Sequence, residues 1–134
     1  VFTANRITVS DHRYQFSIRV ASRFLPEQSD PAQELFSFAY TVTITNTGQI
    51  AAQLISRHWQ IRDGRGELVE VKGLGVVGHQ PLLEPGQSFE YTSGSQIGTP
   101  VGSMAGSYFF VAEDGHRFES PIPEFSLAVP RTLH

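Results

Sequence analysis

The residues with the strongest claim to chemistry fall in one short stretch, Lys72-Gly73-Leu74-Gly75-Val76-Val77-Gly78-His79. It contains a formal Gly-x-Gly-x-x-Gly string, a pattern that brings backbone amides close to a pyrophosphate. In a dinucleotide fold the string works because a helix follows it and the helix N-terminus holds the phosphates. Here Pro81 and Pro85 follow at once, so no helix of useful length can form and the dinucleotide-fold reading fails. A lesser version stays open. Glycine amides in a loop can cup an anion, and Lys72 and His79 would add a charge or a donor for a phosphate-bearing small ligand, with or without Mg²⁺. The competing account is that Gly73, Gly75 and Gly78 simply permit positive φ in a tight loop.

Other chemical groupings are thin. His12, His58, His79, His116 and His134 show no i, i+2 or i, i+4 pairing, and there is no cysteine, so no metal-ligand spacing is present. Neither a metal nor a cofactor is expected. Glu67 and Glu70 stand three apart on a strand and point to opposite faces. Asp63 opens a turn, where aspartate bonds its own backbone. Gly94-Ser95 and Gly102-Ser103 do not complete a nucleophile elbow. No nucleophile, base or metal triad can be assembled, and an enzyme is not expected.

Two further groups are candidates for partner contact. Arg13, Arg19 and Arg23 share the outward face of one alternating segment. They either dock an acidic or phosphate-bearing partner or discourage strand addition at an edge. Val76-Val77 and Gln96-Ile97 are apolar or mixed tips in two glycine-bearing loops, 73–81 and 93–102. They either meet a partner or fold down to cap one end of the domain.

The elements that must position these residues repeat with a period of two. Tyr14, Phe16, Ile18, Val20 and Phe24 alternate with polar neighbours, the pattern of a half-buried strand. Asp30-Pro31 suits a single helical turn. Phe36, Phe38, Tyr40, Val42 and Ile44 form a second alternating strand that stops at Asn46-Thr47-Gly48. A third, Ala51 to Arg62, carries Ile55, Trp59 and Ile61 on one side, with Trp59 read as core. Arg57 shares that face and belongs at its rim or against a carboxylate. Short strands follow at 67–71 and 88–92, then a hairpin across Glu113-Asp114-Gly115 and a last strand at 125–129 beyond Pro121-Ile122-Pro123. About seven or more antiparallel strands with turns every 8–12 residues or so predict an immunoglobulin-like β-sandwich.

Composition agrees with one such domain. A chain of 134 residues is a single-domain length and buries enough surface to need no staple. The ordered sandwich is expected over about residues 8–128, with flexible ends at 1–7 and 129–134. Formal net charge is −3, which argues against bulk binding of nucleic acid or acidic membrane. Lys72 is the only lysine among ten basic residues. The absence of cysteine suits a cytoplasmic setting, no run approaches the roughly 20 apolar residues of a membrane span, and no secretory layout opens the chain.

Several strings in order carry a family resemblance: Ser56-Arg57-His58-Trp59-Gln60-Ile61-Arg62-Asp63, Glu70-Val71-Lys72-Gly73-Leu74-Gly75-Val76-Val77-Gly78-His79-Gln80-Pro81, Phe89-Glu90-Tyr91-Thr92-Ser93-Gly94 and Gly102-Ser103-Met104-Ala105-Gly106-Ser107-Tyr108. Together they resemble the ApaG family from about residue 8 to Leu127. The resemblance implies a fibronectin-type-III-like sandwich with no assigned enzymatic activity. It also implies a partner-binding role, by way of similar domains in eukaryotic F-box and polymerase-interacting proteins. It brings associations with diadenosine tetraphosphate hydrolysis and with cobalt and magnesium tolerance. The expected function is a non-catalytic module that binds another protein through the 73–81 and 93–102 loops; the alternative is a pyrophosphate or dinucleotide-polyphosphate sensor at residues 73–78. Homodimerisation through an open sheet edge is a further expectation.

Overall fold

The computed structural model describes residues 11–131. Residues 1–10 and 132–134, which include the expected flexible end at 1–7 and His134, lie outside the described part. Val129, expected to begin the loose C-terminal end, donates its amide to the Pro100 carbonyl at 2.9 Å.

Among the described residues eight strands form: β1 (Phe16–Phe24), β2 (Phe36–Asn46), β3 (Ala52–Asp63), β4 (Leu68–Leu74), β5 (Leu82–Leu83), β6 (Ser88–Ile97), β7 (Val101–Ala112) and β8 (Arg117–Ala128). All pairings are antiparallel. One sheet runs β1-β2-β6 and the other β4-β3-β7-β8, with β5 beside the start of β3. The chain is an all-β sandwich. Asp30 precedes a single 3-10 turn at Pro31–Gln33, and its carboxylate accepts from the Gln33 side-chain amide.

Alternation explains β2 directly. Phe38, Tyr40, Val42 and Ile44 enter the core, while Thr41, Thr43 and Thr45 bond across to Thr92, Glu90 and Ser88 of β6 on the outer face. Facing them, Trp59 of β3 meets Tyr40, Tyr108 and Phe125 edge-on, with ring centroids 5.3–6.2 Å apart. Gly106 of β7 sits opposite Trp59, where a Cβ would run into the His58 carbonyl. Deep in the core the Tyr91 and Tyr108 hydroxyls bond each other.

Three local departures from simple alternation matter. A β-bulge at Ile55 shifts the parity of β3, so Leu54 is the fully buried residue and Ile55, expected inward, is only half-buried. The segment expected as a loop from 93 onward is the second half of β6, because Ser93 and Ser95 continue the ladder to β2; only residues 98–100 are loop. Pro121 and Pro123 do not end the last strand. They lie in β8, an edge strand carrying its own bulge, where a missing N–H breaks no ladder.

Candidate functional site

The glycine string is not one loop. Lys72, Gly73 and Leu74 are the end of β4, paired with His58, Arg57 and Ser56. Gly75 has φ +64 and donates its amide to Ile55 O at 2.8 Å; a side chain here would strike the His79 carbonyl. Val76 and His79 then exchange both backbone hydrogen bonds, at 2.8 and 2.9 Å, around Val77 (φ +43) and Gly78 (φ +83). Positive φ at both central residues is what a primed two-residue hairpin turn requires. The amides of Gly75, Val76 and His79 are thus engaged by protein carbonyls, and each glycine has a backbone or packing reason. Arg57, expected at a rim or against a carboxylate, instead spreads its guanidinium over Gly73 and donates to the carbonyls of Leu74 and Gly75. It clamps the turn onto β3.

The turn folds inward as much as outward. Val76 is fully buried in the core, and His79 packs its ring 5.7 Å from Phe89 of β6. Val77 stays exposed. At the other candidate tip Ile97 is buried and Gln96 is exposed, donating to Ser37 Oγ. Val76 and Ile97 therefore turn inward and cap the sandwich. The arginines separate as well. Arg13 precedes β1 and pairs with Asp11 at 2.9 Å, whereas Arg19 and Arg23 stay on the exposed face of β1. Asp63 accepts from the Arg65 and Glu67 amides, as turn aspartates do. Among the described residues no three metal-binding side chains converge.

What joins the two candidate tips is β4. Its C-terminal end runs into the 75–79 turn; its N-terminal end lies beside Gln96 and Ile97 across a hollow of about 230 Å³ also lined by Ile61, Arg65 and Val69. All of β4 except Gly73 is exposed, on both faces. Val69 and Val71 belong to the inner face, yet they are 57% and 38% exposed because the three-stranded sheet stops at β6 and does not reach over them. On the outer face Leu68 is 46% and Leu74 75% exposed. A second hollow, about 470 Å³, lies there against Ser56, His58, Lys72, Leu74 and Phe109.

The backbone of β4 is half-used. The bonds Gly75 N to Ile55 O and Asp63 N to Glu67 O identify the odd-numbered residues as those facing β3. Leu68, Glu70 and Lys72 accordingly turn their N–H and C=O groups outward, as Leu74 does its N–H while its carbonyl accepts from Arg57, and among the described residues no strand meets them. Between these, Glu70 accepts from His58 at 3.0 Å and from Gln60 at 3.4 Å; these bonds hold its carboxyl below the usual range. The sequence flagged Lys72 and Val77 here and missed Leu68, Val69, Val71 and Leu74. Their signal was a short run with apolar residues at both parities, on a strand expected to have only one buried face.

The comparisons with known proteins agree with this architecture. A crystal structure of a Bordetella pertussis chain described as a putative ApaA protein superposes with a TM-score of 0.86 at 59% identity, covering 89% of this chain and 97% of that one. A second X-ray structure, described only as a structural-genomics target, gives 0.83 at 43% identity, covering 89% and 90%. Protein ApaG of Ralstonia nicotianae is 64% identical over 122 residues, 91% of this chain and 98% of that protein. Protein ApaG of Nitrosospira multiformis is 62% identical over 122 residues, 91% and 96% of the two chains. With a profile of the ApaG domain matching residues 26–112 as well, the chain belongs to the ApaG domain family.

Proposed function

We propose that the chain is a non-catalytic protein-interaction module that takes its partner along the β4 flank. The observation that carries this is the open strand itself: seven residues, Leu68–Leu74, with outward backbone groups and four large apolar side chains in solvent. Strand addition uses such an edge. Main-chain hydrogen bonds supply affinity and hollows on either face receive alternate side chains. The hollows beside Val69 and Leu74 stand where those side chains would go. Exposed apolar surface of this kind is a liability for a chain that binds nothing. The primed turn and the Arg57 clamp keep the strand rigid, so little ordering entropy is lost on binding.

A photo-reactive residue placed at Leu74, compared with one at Arg19 on the opposite flank, tests this in cells. Protein adducts are expected at 74 and not at 19. Equal adducts at both positions, or none at 74, would overturn the assignment.

A further inference from the structure

The β4 sequence is self-complementary, and we infer that one partner of this edge is a second copy of the chain, paired antiparallel about a two-fold axis at Val71. This rests on the reading of β4 as an interaction strand and names its occupant. Written about Val71, the strand is Leu68-Val69-Glu70-Val71-Lys72-Gly73-Leu74. Antiparallel pairing centred there sets Glu70 opposite Lys72 of the second copy and Lys72 opposite its Glu70. Leu68 meets the second Leu74, Val69 the second Gly73, and the two Val71 side chains meet each other.

The backbone independently permits that register. Because the odd residues bond β3, only the even residues offer outward N–H and C=O groups. Centring on Val71 makes the Glu70–Lys72 pairs hydrogen-bonded pairs and leaves Val71 in the wide, non-bonded position where side chains approach closest. Centring on Glu70 or on Lys72 would set like charges face to face. Centring on Val69 or Gly73 would overlap fewer residues of the strand and leave both charges unmatched.

The charges are poised for this. His58 and Gln60 both engage Oε2 of Glu70, so the carboxylate is held upright on the outer face, where Lys72 also lies. The other exposed edges differ. β8 carries Pro121, Pro123 and a bulge, and β6 turns Ser88, Glu90, Thr92, Gly94 and Gln96 outward. Among the longer strands of the described residues, only β4 combines an unobstructed edge with large exposed apolar side chains on both faces. Pairing here would join two β4-β3-β7-β8 sheets into one continuous sheet.

Sedimentation of the full chain tests the inference, with charge reversals that sit on the surface and leave the fold intact. The wild-type chain is expected to reach twice its 14.8 kDa mass as concentration rises. Glu70→Lys alone and Lys72→Glu alone should each weaken dimerisation by about tenfold, since each creates two like-charge pairs. Mixing the two single variants should restore it, because each then meets the opposite charge at both positions. Lys72 is the only lysine, so a carbodiimide should also link it to Glu70 between isotopically light and heavy copies. A chain that stays monomeric to millimolar concentration, a dimer indifferent to the single reversals, or reversals not rescued by mixing would overturn the register. A monomer that still gives heterologous adducts at position 74 would remove the self-pairing and leave the interaction strand standing.

Discussion

The two flanks of the sandwich are built to opposite ends. On one, β1 and β8 lean together and close the core. Ser22 donates to the Ser126 carbonyl at 2.8 Å, Phe16 stacks on Phe110 at 4.0 Å, and Tyr14 stacks on His116 while its hydroxyl donates to Asp114 at 2.6 Å. Arg19 and Arg23 on β1, and the prolines and bulge of β8, guard that side against strand addition. On the other flank β4 projects past β6, and among the described residues nothing covers Val69 and Val71. The difference teaches that exposure of apolar residues here is not a failure of a small core. The same chain buries Phe110 completely and leaves Leu74 three-quarters in water.

Equal truncations on the two sides should therefore behave unequally. Phe110→Ala, beneath the closed flank, is expected to cost about 3–5 kcal/mol in chemical denaturation. Leu74→Ala on the open flank should stay within about 0.5 kcal/mol while lowering partner capture. Comparable losses at the two positions would break the contrast. Gly75→Val belongs with the large effects although it sits beside the open strand. Its positive φ and its closeness to the His79 carbonyl predict an unfolding cost of about 3 kcal/mol, with the turn and Val76 released together.

The Tyr91–Tyr108 pair in the shared core should show an intermediate effect. Tyr91→Phe leaves the Tyr108 hydroxyl without its buried partner, at about 1–3 kcal/mol. Burial pushes the Tyr91 phenol from its ordinary 10 up to about 12 and raises Tyr108 as well. A raised pKa in the folded state means that the neutral pair stabilises fully below pH 10. That contribution is lost as pH rises through about 12, so alkaline unfolding should begin in this window. Tyr91→Phe should change its profile; an unchanged alkaline midpoint would contradict the assignment.

How much of this was legible in the sequence depends on the element. The alternation Phe36 to Ile44 states β2 completely, because one face packs on the core and the other carries a threonine ladder. The bulge at Ile55 was invisible, since one extra residue changes parity without changing composition. β4 read as ending at Val71, because glycines at 73 and 75 look like loop. In fact Gly73 is a strand glycine chosen for the Arg57 guanidinium above it. Ser93-Gly94-Ser95 misled for the same reason. Val76 was equally readable as tip or core, and only the primed turn, which reverses the chain within two residues, decides that it points inward.

Smaller effects sharpen the picture of the turn. Val77 is β-branched at φ +43, so Val77→Asn should stabilise the chain by about 0.5–1 kcal/mol in thermal or chemical unfolding. A loss would mean that the exposed Val77 side chain makes a contact worth more than its strain. With the amides of Gly75, Val76 and His79 already donating to carbonyls, a diadenosine polyphosphate with Mg²⁺ should leave the Gly73, Gly75 and Gly78 amide resonances in place at millimolar ligand. Saturable shifts confined to those three would restore the ligand-sensor alternative.

The most direct test of the open flank is amide hydrogen exchange along β4, residue by residue, in dilute buffer and again in concentrated bacterial extract. In dilute buffer the odd residues Val69, Val71 and Gly73 should be protected by β3, and Leu68, Glu70, Lys72 and Leu74 should exchange freely. In extract those even amides should become protected while the outward amides of Ile18 and Val20 on the opposite flank do not change. Even-numbered amides that exchange equally fast in both conditions, or protection that grows on β1 instead, would contradict a binding role for β4.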